Sequence, residues 1–146
     1  MSSEVKAQQR QQVADRAYHV CEYCLLHEDD TFWGCQIDHI ISRKHGGASV
    51  PGNLAWACAC CNNHKGSDIA TLVGQPPRLS RLYHPRQERW IDCFRLHGYR
   101  IEANNLPGTA TEKLLQLNQD SRLRGRAALG QTGRYPAIEA LARMKE

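Results

Sequence analysis

Two C-x-x-C pairs, Cys21 with Cys24 and Cys58 with Cys61, stand 33 residues apart in the sequence. Thiolates are soft donors, and each C-x-x-C turn presents two sulfurs with the geometry that one tetrahedral zinc ion needs. A single such pair also fits redox chemistry, and scattered thiols fit apolar filling of a core; the duplicated spacing favours metal. Zinc saturated by four thiolates keeps no open position. Its role is therefore structural, cross-linking chain segments rather than polarising a substrate. Cys60, Cys35 and Cys93 have no partner at metal spacing and read as small buried apolar residues.

Between and beyond the pairs run "IDHIISRKHGG", "NLAWAC" and "CNNHKGSDI". With "CEYC", and in this order and spacing, these segments resemble the HNH endonucleases of the zinc-containing ββα-metal type over about residues 12 to 70. The resemblance makes His39 the first H and Asn53 the N. It puts Asn62 where the final H of the name falls, a position where the family also uses Asn. Asp38 matches the family's metal-binding carboxylate. The activity implied is hydrolysis of DNA phosphodiester bonds to 5′-phosphate and 3′-hydroxyl ends. Such a reaction needs an activated water and a cation against the developing charge. His39, neutral near pH 7 from its ordinary pKa, takes the proton from water. The oxygens of Asp38 and Asn62 suit Mg²⁺ or Mn²⁺. Asn53 braces the long loop and so orients the base.

Some placements follow from element geometry. Lys65, three residues after Asn62, falls on the same helix face and is expected at a DNA phosphate, as are Arg43 and Lys44 in the loop. His45 beside them reads as solvated. His64, two residues after Asn62, faces away and is not expected as a ligand. Neighbours on a regular strand point to opposite faces, so Asp38 and His39 converge only if the strand is irregular there.

The elements that must position these residues can be read coarsely. A helix is expected from Glu4 to Val20, capped by Ser2 or Ser3, leading into the first cysteine pair. "CQIDHII" and "LAWAC" read as two antiparallel strands around a glycine-rich loop, and "CNNHKGSDIATLV" permits about two helical turns and leads to the break "GQPP". Further on, "RWIDCFRLHGYRIEA" alternates about a His97-Gly98 turn and predicts a hairpin. Thr109 and Glu112 have capping-box spacing ahead of Leu114, Leu115 and Leu117. Helices follow over "SRLRGRAAL" and from Pro136 towards Lys145. The fold class is α+β: a ββα-metal core with a four-cysteine zinc site, an N-terminal helix, and a C-terminal β-hairpin plus helices. Residues 1–74 are expected to form the nuclease core and 75–146 a basic extension packed on or beside it.

Charge supports a polyanionic partner. Residues 1–73 carry 6 Lys and Arg against 8 Asp and Glu, whereas residues 74–146 carry 13 against 7. Basic side chains bind phosphates without reading bases, and with the DNA substrate that the resemblance implies, the expected partner is double-stranded DNA bound with weak sequence preference. No run of about 18 apolar residues suits a membrane span, and the first residues lack an apolar signal segment, which points to the cytoplasm. Two other classes fit the same residues: a zinc-stabilised nucleic-acid binding module without cleavage, and a zinc-built protein-interaction domain.

Overall fold

A computed structural model describes residues 6–146; Ser2, Ser3 and the expected helix start at Glu4 lie outside the described residues. Helix α1 (Ala7–Arg16) places Val13 and Ala14 on its buried side. The chain then turns through Tyr18 and His19, both at positive φ, into the first cysteine pair. Strands β1 (Cys35–His39) and β2 (Leu54–Cys58) pair antiparallel, and helix α2 (Ala59–Lys65) follows β2 directly. This is the expected ββα core.

The register explains what each face carries. Ile37 opposes Trp56 and His39 opposes Leu54, so these four side chains share one face; Asp38 opposes Ala55 on the other. Val13, Ala14 and Ala17 cluster with Leu54, Trp56 and Ile37, which puts α1 on the first face. The second faces α2.

After α2 the chain departs from expectation. Gly66 ends the helix after the expected two turns, and residues 70–73, not expected as a strand, form β3 (Ala70–Val73), paired with β4 (Arg78–Arg81). The β-branched Thr71 and Val73 favour that outcome. Trp90–Cys93, expected in a strand, is a single helical turn, α3, that delivers Trp90 and Cys93 to the core. The hairpin itself is β5 (Phe94–His97) with β6 (Arg100–Ala103), turning at Gly98 with φ +62°. Helix α4 (Leu106–Leu115) is capped by Asn105, whose Oδ1 accepts from Gly108 N at 2.8 Å. The capping box at Thr109 and Glu112 is therefore corrected, because both lie inside the helix. Pro107 in the first turn fits a start at Leu106. Helices α5 (Asp120–Gln131) and α6 (Ile138–Met144) complete the chain.

The main core joins both halves of the sequence. Val20, Tyr23 and Leu25 pack with Tyr83, Trp90, Phe94, Ile101, Leu115 and Tyr135. Edge-to-face ring pairs, Tyr23 with Tyr83 and Tyr83 with Phe94, link the segments. No helix among the described residues is long and apolar enough to cross a membrane.

Candidate active site and metal centre

The four paired cysteines converge. Their sulfurs all lie within 4.8 Å of one another and all four residues are buried, so the set can hold one zinc ion. Each pair closes as a tight turn: Cys24 N–H points at Cys21 Sγ at 3.5 Å, and Cys61 N–H at Cys58 Sγ at 3.4 Å. Such amide donors stabilise thiolate charge. Cys60, between the second pair, is outside the group, and Cys93 is buried among apolar residues.

The C-terminal half supports this centre from behind. Arg122 of α5 donates to Cys61 Sγ at 3.0 Å, Tyr135 Oη to Cys24 O at 2.8 Å, and Trp90 Nε1 to Tyr23 O at 3.0 Å. Sequence reading assigned none of these three. Partners of this kind orient ligands and tune a metal site, and their sequence distance from the cysteines hides them.

His39 ends β1, partly exposed, on the α1 face of the hairpin. Its Nε2 lies 2.8 Å from Ser49 Oγ, a contact absent from the sequence reading. Ser49 is in turn held by α1, since Gln9 Nε2 donates to its carbonyl at 2.8 Å. Burial lowers the His39 pKa from its ordinary 6.5, aided by the charges of Arg43 and Lys65 and opposed by Asp38. The neutral ring is the form that accepts a proton.

Asn53 clamps the loop between β1 and β2. Its Oδ1 accepts from Ile41 N at 2.8 Å, and its Nδ2 donates to Ile41 O and Ala48 O, both at 2.9 Å. A backbone bond from Ile40 N to Asn53 O at 2.9 Å closes the base of the loop. Gly47 is packed so tightly there that a Cβ would stand 1.7 Å from Ile41 O. Arg43 and Lys44 are exposed in the same loop, with His45 beside them.

One expected role, that of Lys65, is corrected, and Asp38 lies buried beside it. Lys65 is 1% exposed, and its ammonium donates to Asp38 Oδ1, His39 O and Ile40 O, each at 3.1 Å. All three donors are used, so it does not reach a DNA phosphate. Asp38 is 3% exposed, and its other oxygen accepts from Tyr23 Oη at 2.6 Å. Burial raises the Asp38 pKa against the pull of Lys65 and Tyr23. The physical reason is strand alternation: β1 is regular, so Asp38 turns under α2 while His39 faces α1. Each carboxylate oxygen thus already has a buried partner within the fold. Asn62, one turn before Lys65 on α2, stays partly exposed and outside this buried set. Of the two expected oxygen donors, Asn62 is therefore the one whose side chain stays partly exposed.

Compared with known proteins, residues 21–68 match the family model described as HNH endonuclease, a span that contains both cysteine pairs, His39, Asn53 and Asn62. That family implies metal binding and nuclease-type chemistry on a nucleic acid. No curated protein and no solved structure matches the chain.

Proposed function

We propose, with the HNH match over residues 21–68 as the premise, that this chain is an endonuclease that hydrolyses DNA phosphodiester bonds with His39 as general base. The single observation that carries this reading is the His39 ring seated on Ser49 at 2.8 Å and shifted towards its neutral form. With Ser49 Oγ accepting from Nε2–H, the lone pair of Nδ1 is left to take a proton from water. Asn53, by clamping the 42–53 loop, keeps Ser49 over the ring. Arg43 and Lys44 contact the backbone of the duplex without reading bases, which gives weak sequence preference.

The four cysteines hold a structural zinc. Asn62 would offer an oxygen to Mg²⁺ or Mn²⁺, and such an ion would supply stabilisation of negative charge on the phosphate.

The closed Asp38 favours one second reading, a zinc-stabilised DNA-binding module without cleavage. Supercoiled plasmid with Mg²⁺ or Mn²⁺ separates the two. The nuclease reading expects nicked or linear product from the natural chain and none from His39→Ala. Intact plasmid from both, retarded on a gel, would establish the binding module instead.

A further inference from the structure

Outside the His39 site, a cavity of about 350 Å³ is lined by Arg16 of α1, Arg86 and Arg89, and Arg143 of α6, together with Glu88 and Glu146. Three of these arginines gather around Glu22, the fully buried residue inside the first C-x-x-C pair. Arg143 meets Glu22 Oε1 at 2.7 and 3.0 Å, and Arg86 meets the same oxygen. The second oxygen of Glu22 accepts from Trp56 N at 2.8 Å. The remaining acids are also engaged: Arg81 grips Glu88 with two bonds at 2.7 and 3.0 Å, and Tyr18 Oη binds Glu146.

Positive charge is left over. Five arginines (16, 81, 86, 89 and 143) stand against three glutamates (22, 88 and 146). Arg16 Nε and Arg86 Nη1 are buried with no acceptor among the described residues. A buried donor without an acceptor is costly and marks a place for water or an ion. Burial and the charges of Arg86 and Arg143 also pull the Arg16 pKa below its ordinary value, as expected where anions are too few.

We infer that this cleft is a phosphate-binding pocket that takes one backbone phosphate of the DNA duplex, with Arg16, Arg86 and Arg89 as its donors. A phosphodiester offers two charged oxygens, and guanidinium forks match them. The location suits a substrate already lying at His39. Arg16 also donates to Pro51 O at 2.9 Å and Leu54 O at 2.6 Å, and Leu54 is the register partner of His39. Through Arg16 the cleft is tied to the strand position opposite the proposed base.

The inference rests on the nuclease reading, and the test keeps the two apart. In a His39→Ala background, binding of a short duplex is followed by fluorescence anisotropy across a range of salt concentrations. Arg89→Gln, at an exposed position, is expected to raise Kd severalfold and to reduce the slope of log K against log salt by about 0.9, the loss of one phosphate contact. Arg86→Lys, which keeps the charge facing Glu22 but loses the fork, is expected to raise Kd with little change in slope. Millimolar inorganic phosphate is expected to raise the Tm of the natural chain more than that of Arg89→Gln. If the natural chain binds and cuts DNA while both variants keep its Kd and slope, the pocket inference is overturned and water fills the cleft. If the natural chain binds no DNA, the nuclease reading falls with it.

Discussion

Lys65 Nζ lies 3.1 Å from Asp38 Oδ1 with both side chains almost fully withdrawn from water, so α2 is fastened to β1 by a buried ion pair. Removing one partner of such a pair leaves an uncompensated charge. Lys65→Met is therefore expected to cost about 3–5 kcal/mol in urea unfolding, and Lys65→Met with Asp38→Asn to recover part of it. A loss under about 1 kcal/mol for the single variant would show that the pair is not closed in solution.

The contact of His39 with Ser49 predicts a graded series. His39→Ala should lose about 10²- to 10⁴-fold in cleavage rate with DNA binding retained. Ser49→Ala, which frees the ring without removing it, should lose roughly 10- to 100-fold, and Ser49→Thr should recover most of that. A rate for Ser49→Ala equal to the natural chain's would remove Ser49 from any positioning role.

Cleavage by a neutral histidine should depend on pH in one direction. Burial, Arg43 and Lys65 hold His39 below 6.5 against the pull of Asp38. Its base form is present above that lowered pKa and is lost as pH falls through it. The rate is expected to rise with pH and level off, with its midpoint below 6.5. A midpoint near 8 in single-turnover measurements would exclude His39 in this role.

Zinc and fold should be lost together. Cys58→Ser is expected to abolish metal content and cooperative unfolding, while Cys60→Ser keeps one zinc per chain. Arg122→Ala removes the donor to Cys61 Sγ and should weaken zinc affinity by about 10- to 100-fold in chelator competition. Equal zinc loss from Cys60→Ser and Cys58→Ser would contradict the ligand set.

The loop over His39 has its own sensitive position. Gly47→Ala would drive a Cβ into the Ile41 carbonyl and to 2.8 Å from Asn53 Nδ2. Both are parts of the clamp. Cleavage should fall while zinc content and the far-UV spectrum stay unchanged; full activity would show that the loop has another way to close.

Much of the core was legible because its signals are local. A C-x-x-C turn closes within four residues, and the hairpin at Gly98 announces itself through alternation and one glycine. The misses come from competition between local options. Ala70–Val73 suits the end of a helix or a strand, and pairing with Arg78–Arg81 decides between them. At α4 two cap patterns compete, and Asn105 ahead of Pro107 prevails over Thr109 with Glu112. An Asn two residues before a first-turn proline was the available signal.

By itself the sequence determined which residues could be ligands and bases: Cys21, Cys24, Cys58 and Cys61 for a soft ion, and His39 with its bracing Asn53. Residue type and short spacing suffice for the cysteines, since donor chemistry does not depend on distant contacts, whereas His39 and Asn53 were marked by the resemblance. Only the tertiary structure decided which polar groups remain available. Lys65 and Asp38, 27 residues apart, consume each other's charge under α2. Ser49 reaches His39 because α1 holds its loop in place. Arg16, Arg86 and Arg143 meet at Glu22 from three separate segments. Burial sets whether a charge faces solvent or a partner, and burial is a property of the packed chain rather than of any stretch of it.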